Sequence, residues 1–116
     1  MKEIKAFVHL NRVADVIQAL SDAGYLGSGG PAACHNLNVS HTESLLRALD
    51  SAEQRYSMEL ARSVIREAKL ELLCRDDDAS AIVDLIEKYG RTGQQEAGWV
   101  LVSAVEQAVR ISGARV

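Results

Sequence analysis

The sequence predicts an α+β domain whose elements follow the order βαββαβ. Two segments share one pattern: an alternating apolar run, then apolar residues at helical spacing, then a glycine. The spacing of one segment repeats in the other, with Val16, Ile17, Leu20 and Gly24 matched by Ile82, Val83, Ile86 and Gly90. A further strand candidate follows each segment, at residues 37–42 and at residues 99–102.

The first segment predicts a strand and then a helix. Ile4, Ala6 and Val8 alternate with other residues, which is the period of a strand with one buried face. Asn11 is the predicted N-cap of the helix that follows. Gly24 stands where a helix ends on a residue that tolerates positive φ.

The second segment predicts the same pair of elements. Leu70, Leu72 and Cys74 alternate, and Cys74 is therefore expected to behave as a small buried hydrophobic residue. The aspartates at residues 76–78 are interpreted as a cap that places negative charge at a helix N-terminus, rather than as a metal cluster. Gly90 is the predicted end of this helix.

These elements predict a ferredoxin-like fold. Two βαβ units with right-handed crossovers intercalate into a four-stranded antiparallel sheet with two helices on one face. The other face is left uncovered although its strands carry apolar residues, so we expect copies of the chain to cover it in an oligomer. Trp99 is interpreted as an anchor in the strand core or in that interface.

Composition and charge exclude several classes of protein. The chain has 116 residues, which is enough for a single domain spanning residues 1–116. The net charge is -3 with scattered basic residues, so no nucleic acid partner is expected. No apolar run is long enough for direct membrane insertion and the charged N-terminus is unlike a signal peptide, which predicts a cytoplasmic protein. Cys34 and Cys74 are expected to be reduced thiols.

Two connections between elements stand out. Residues 44–63 are a long connection for a compact domain, and we predict that they are mobile or variably helical and become ordered on a partner. Residues 27–31 are rich in glycine. They are interpreted as a flexible surface connector, with a phosphate-binding nest as the alternative.

Several motifs together resemble the PII nitrogen-regulatory signal-transduction superfamily. They are the opening Met-Lys-x-Ile-x-Ala, the helix of residues 13–24, the strand of residues 69–73, Asp76-Asp77, Thr92-Gly93 and Arg110-Ile111. The resemblance implies a homotrimer that is not an enzyme and that holds an adenine nucleotide (AMP, ADP or ATP) between subunits. It also implies that the long loop at residues 44–63 contacts a target protein.

The resemblance also assigns roles to individual residues. The nucleotide-binding positions of the family fall on Glu71, Leu73, Thr92, Gly93, Gly98 and Arg110. The first two match strand positions beside the adenine. The next three match a phosphate loop in which small residues let backbone N–H groups approach the phosphates. The last matches a phosphate-binding arginine.

The chain departs from the family pattern at cationic positions. Trp99, Ser112 and Gln94 stand where lysine or arginine is expected, which predicts weak binding without preference for the triphosphate. Residues 46–50 and the Gly98-Trp99 pair are similar to a divergent PII-like branch found beside heavy-metal efflux pumps. This similarity implies a membrane transporter or a metal efflux pump as the target protein.

An alternative from another class is a metal-binding or metal-handling trimer similar to CutA-type proteins. Cys34, His35 and His41 are its candidate ligands, because thiol and imidazole groups bind zinc and copper. Their spacing matches no closed zinc-finger pattern, and ordinary loop and strand positions are the competing interpretation. No nucleophile motif is present, so catalysis is not expected.

Overall fold

The computed structural model describes residues 1–27, 33–46, 51–94 and 97–113. Its helices and strands are β1 (Lys2–His9), α1 (Val13–Asp22), β2 (His35–Ser44), β3 (Arg55–Ser57), β4 (Arg62–Cys74), α2 (Ala79–Gly90) and β5 (Trp99–Ala104). Two short 3₁₀ helices lie at Ser51–Glu53 and Asp76–Asp78. Residues 28–31 of the glycine-rich stretch and residues 47–50 of the long connection lie outside the described residues. No described helix is long and apolar enough to cross a bilayer.

The sheet confirms the predicted α+β, ferredoxin-like arrangement. Four strands lie side by side in the order β2-β4-β1-β5, and each neighbouring pair is antiparallel. β3 pairs with β4 as a further strand, so the sheet has five strands rather than the four predicted. β3 is three residues long and has no alternating apolar pattern, and only its pairing with β4 makes it a strand.

The core lies between the sheet and the two helices. It consists of buried side chains from β1, β4, α1 and α2: Ile4, Ala6, Val8, Leu70, Leu72, Cys74, Val16, Leu20, Ala79, Ile82 and Ile86. The strand members alternate along β1 and β4, as their period of two predicts. Burying one such large aliphatic side chain contributes about 1.5–3 kcal/mol, so this cluster is a main source of the stability of the fold.

The helix ends follow the sequence predictions only in part. Arg12 is the N-cap of α1 and makes no side-chain capping bond, so the prediction of Asn11 as N-cap is wrong. The backbone N–H of Asn11 instead donates to Nδ1 of His9 at 3.3 Å. Gly24 has a φ of +85° just beyond α1, as predicted. Gly90 is the last residue of α2 rather than the residue after it.

The acidic run before α2 makes structural contacts. Asp78 is at the N-cap position, but its carboxylate accepts a hydrogen bond from Nε of Arg75 at 2.8 Å instead of capping the helix. The α-ammonium group of Met1 lies 2.7 Å from the Asp76 carboxylate. Hydrogen bonding to that ammonium lowers the pKa of the Asp76 carboxyl. The run therefore connects the start of β1 to the start of α2.

The sheet face opposite the helices is called the open face here and is defined by Lys5, Phe7, Glu71, Trp99 and Leu101. Lys5, Phe7 and Glu71 alternate with core residues along their strands, and Trp99 and Leu101 lie opposite Phe7 and Lys5. All five side chains therefore point away from the core. Phe7 is paired with Trp99, which is 64% exposed, and Leu101 is half exposed beside Lys5. Trp99 is thus outside the core of the single chain, which leaves the interface as its expected role.

Candidate functional site

A cavity of about 280 Å³ opens at the C-terminal end of α2, where the chain turns back toward β5. Its wall includes Thr92, Gly93 and Gly98, three of the six residues predicted to bind nucleotide. Phe7 of β1 and Val100 of β5 also line it. Sequence reasoning missed these last two residues, because only the pairing of β1 with β5 brings them to the cavity.

The turn that borders the cavity depends on glycine. Gly93 and Gly98 have φ values of +87° and +84°, a region that side-chain-bearing residues rarely adopt. The backbone N–H of Gln94 donates to Oγ1 of Thr92 at 3.3 Å. Small residues in such a turn let backbone N–H groups come close to an anionic oxygen, as phosphate binding requires.

Among the described residues that line the cavity, Arg91 is the one with a cationic side chain. Its Nη2 lies 2.8 Å from Oε1 of Glu87, one helical turn earlier. Both side chains are exposed, so this ion pair contributes only about 0–1 kcal/mol. The cavity wall therefore offers backbone and hydroxyl donors and one arginine that is paired with Glu87.

Glu71 and Leu73, the predicted adenine-side residues, lie on β4 outside the cavity. Glu71 is opposite Lys5 on the open face, and Leu73 is opposite Glu3. Nζ of Lys69 donates to the Glu71 carboxylate at 2.9 Å, and this hydrogen bond lowers the pKa of Glu71. Both residues therefore face a surface that another copy of the chain could contact.

Arg110, the predicted phosphate ligand, lies toward the other end of the sheet. Its Nη2 is 3.1 Å from Nδ1 of His35, and His35 is paired with Leu73. β5 runs from the cavity at Trp99 to the far end at Ala104, which is about 17 Å at the rise of an antiparallel strand. The contact also places Arg110 beside one of the predicted metal ligands.

The six predicted nucleotide-binding residues thus occupy three places on one chain. Thr92, Gly93 and Gly98 line the cavity, Glu71 and Leu73 lie on β4, and Arg110 lies at the far end. One copy of the chain does not bring all six around a single ligand. Bringing all six around one ligand would require residues from more than one copy of the chain.

The structure does not bring the three candidate metal ligands together. Cys34 and His35 lie at the start of β2, whereas His41 lies about 20 Å further along the strand. β2 has a bulge after His35, with Asn36 at a φ of +52°, so His35 and His41 face opposite sides of the sheet. In the described part of the chain, no group of three His, Cys, Asp or Glu side chains is arranged to hold a metal ion.

The long connection contains more regular structure than predicted. β4 already begins at Arg62, and both β3 and the 3₁₀ helix Ser51–Glu53 lie within residues 44–63. Nε2 of His9 lies 2.8 Å from Oε2 of Glu53, which attaches this segment to the end of β1. Tyr56 and Met58 are 63% and 85% exposed, so the connection still presents apolar side chains to solvent.

A buried carboxylate lies close to this attachment. Glu67 of β4 is 3% exposed and is paired with His9, and its Oε2 has no hydrogen-bond partner among the described residues. An unpaired carboxylate oxygen removed from water is costly. A local opening that lets water reach Glu67 would relieve this cost, so the free energy of such an opening is lower.

Removing the attachment should increase local opening of the connection. In the variant Glu53→Ala, amide exchange in residues 51–57 should rise about 3- to 10-fold, because one hydrogen bond contributes about 0.5–1.5 kcal/mol. Exchange in residues 69–74 should not change. Glu59→Ala, which removes an exposed carboxylate from the same connection, is the control. Equal exchange in residues 51–57 of the wild type and Glu53→Ala would contradict this role of the His9–Glu53 contact.

Sequence comparisons find relatives named as nitrogen regulatory proteins. No protein-family model matches the chain. It is 28% identical over 111 residues to the nitrogen regulatory protein P-II 2 of Methanothermobacter thermautotrophicus, covering 96% of the chain and 89% of that protein. It is 28% identical to the nitrogen regulatory protein P-II of Microchaete diplosiphon and 25% identical to that of Rhizobium meliloti. Both of these alignments cover 96% of the chain and 91% of the relative.

The ferredoxin-like sheet and the two helices define a small α+β domain with a glycine-bordered cavity after α2. The similarity to P-II proteins extends over nearly the whole domain rather than over one motif. Relatives of this kind support placing the chain among PII-like proteins.

Proposed function

We propose that the protein is a PII-like signal-transduction protein that binds an adenine nucleotide and regulates a partner protein. The observation that carries the proposal is the cavity bordered by Thr92, Gly93 and Gly98, in a chain similar to P-II proteins over 96% of its length. Relatives named nitrogen regulatory proteins support a regulatory role. The protein acts by binding and being switched, not by catalysis, and it acts in the cytoplasm.

The proposed assembly is a homotrimer with the nucleotide between subunits. Two observations support it: the exposed apolar side chains of the open face, and the separation of Glu71 and Arg110 from the cavity within one chain. Packing open faces together buries Trp99 and Leu101 and brings strand residues of one copy toward another. Light scattering should then give about three times the chain mass of 12.6 kDa.

The proposed partner contact is the long connection at residues 44–63. Its exposed apolar residues Tyr56, Met58 and Leu60 support this role, because such side chains gain stability when a protein surface covers them. The partner that we propose is a membrane transporter, such as a metal efflux pump, approached from the cytoplasm.

Nucleotide binding should be weak and without preference for the triphosphate. Trp99, Ser112 and Gln94 supply no cation, and Arg91 is already paired with Glu87. A hydrogen bond to a charged group contributes about 1.5–3 kcal/mol, so losing two of them lowers affinity by roughly two to four orders of magnitude. The terminal phosphate of ATP loses most of these hydrogen bonds. AMP and ADP should therefore bind about as tightly as ATP.

Calorimetric titration with AMP, ADP and ATP tests the proposal. Arg110→Ala should weaken the binding of all three nucleotides about tenfold or more, because it removes a charged donor to phosphate. Arg12→Ala removes an exposed arginine at the start of α1 and should leave binding unchanged. Submicromolar ATP binding with much weaker ADP binding would contradict the predicted preference. Absence of binding for every nucleotide would overturn the proposed ligand.

A further inference from the structure

β2 and β4 bring the two cysteines of the chain together. Cys34 lies just before β2, and extending the antiparallel pairing of His35 with Leu73 by one position sets Cys34 opposite Cys74. Opposed residues on antiparallel strands have Cα atoms about 4.5–5.5 Å apart. This separation is within the range of about 4.4–6.8 Å that a disulfide bond spans.

The side chains of the two cysteines also share a face. Cys74 is a buried member of the core cluster, and the half-buried Cys34 packs against that same cluster. Both are free thiols in the structure. Burial, together with the nearby Cys74 thiol and Asp78 carboxylate, raises the pKa of the Cys34 thiol to about 11. Burial also raises the pKa of Cys74.

We propose that Cys34 and Cys74 form a reversible intramolecular disulfide when the protein meets a low-molecular-weight disulfide such as oxidised glutathione. Cys34, the more accessible of the two, attacks first as its thiolate. Its sulfur bonds to one glutathione sulfur, and the glutathione S–S bond breaks. Cys74 then attacks the Cys34 sulfur and displaces the second glutathione.

The step balances without any other reactant. Two protein S–H bonds are lost and one protein S–S bond forms. The two electrons and two protons that the cysteines lose are taken up by the oxidised glutathione, which leaves as two reduced molecules. The reverse exchange with reduced glutathione or dithiothreitol restores both thiols.

The raised pKa values make this exchange slow in both directions. Only the thiolate attacks. At a pH below the pKa, the thiolate fraction increases about tenfold for each unit by which the pH is raised. A thiol of high pKa is also a poor leaving group, so the bond once formed is reduced slowly. The pair is therefore suited to report prolonged oxidation rather than a brief pulse.

The bond would close a covalent ring that contains the whole long connection. The ring runs from Cys34 through β2, residues 44–63 and β4 to Cys74. Cross-linking two positions so far apart in the chain restricts the unfolded state, and the thermal midpoint should rise by roughly 5 °C or more. His35, which contacts Arg110, is next to the bond and would be held at the end of β4.

The experiment uses the whole protein in its native state. Wild type is incubated in buffers of increasing ratio of oxidised to reduced glutathione, quenched with acid, unfolded, alkylated and weighed by mass spectrometry. Both thiols should disappear together, leaving a mass lower by two hydrogen atoms and no covalent dimer. Dithiothreitol should restore both thiols, and the oxidation rate should rise about tenfold per pH unit.

Cys34→Ala is the matched control, because Cys74 then remains as a buried thiol that has no partner cysteine. It should stay unmodified under conditions that oxidise the wild type. A lasting glutathione adduct on Cys34 with a free Cys74 thiol would overturn the proposal. Covalent dimers would also overturn it. The same holds if both thiols stay free in the native protein under conditions that fully oxidise the urea-unfolded protein.

Discussion

Replacing Trp99 by aspartate should convert the proposed trimer to monomers. Trp99 is the largest exposed apolar side chain of the open face and lies opposite Phe7. The substitution removes its apolar contact area and would place a carboxylate in the interface, where an unpaired charge costs several kcal/mol. Light scattering should show the mass fall from about three times 12.6 kDa to the mass of one chain.

Tyr56→Asp provides a matched control for this change. Tyr56 is an aromatic residue of nearly equal exposure, 63% against 64%, but it lies on β3, and β4 and β1 separate that strand from β5. The same charge placed there should leave the mass of the assembly unchanged. A trimeric Trp99→Asp variant at micromolar concentration would show that subunits pack through another surface.

Leu72→Ala should cause the largest loss of stability among the predicted effects. Leu72 is 1% exposed and lies opposite Ile4 in the middle of the sheet, under both helices. Truncating a leucine at such a site loses transfer free energy and leaves a cavity, together worth about 2–5 kcal/mol. Urea denaturation followed by circular dichroism should show a lower midpoint with an unchanged slope.

The comparison needs a surface leucine and a fixed protein concentration. Leu60→Ala, at a half-exposed position, should cost less than about 1 kcal/mol. The concentration of chains is held constant because the stability of an oligomer depends on it. Equal losses for Leu72→Ala and Leu60→Ala would contradict the placement of the core.

Much of the fold could be predicted from periodicity, because the residues that bury the core recur at strand and helix spacing. Ile4, Ala6 and Val8 do so on β1, and Ile82 and Ile86 do so on α2. β3 could not be predicted, since its three residues owe their strand conformation to pairing with β4. The N-cap of α1 was placed one residue too early, at Asn11 instead of Arg12, because no side chain caps that helix.

The candidate site could be predicted only where neighbouring residues share one turn. Thr92 and Gly93 are adjacent, and Gly98 follows after a short stretch, so one segment brings them to the cavity. Arg110 lies at the far end of the sheet, and its distance from the cavity is a property of the strand pairing. The metal candidates His35 and His41 do not meet because six residues of extended strand separate them, and the bulge at Asn36 also turns them to opposite faces of the sheet.

The pairing of Ser44 with Ile65 has a consequence for how this protein could diverge between lineages. The pair fixes the two ends of the intervening connection at the separation of neighbouring strands, whatever that connection contains. For a flexible loop, doubling the length raises the free energy of loop closure by only about 0.6 kcal/mol. The unfolding free energy of a variant with a lengthened connection should fall by about that amount. Insertions and replacements at the exposed positions between these two residues therefore cost the core little. The segment that we propose to contact the partner can change while the cavity and the sheet stay the same.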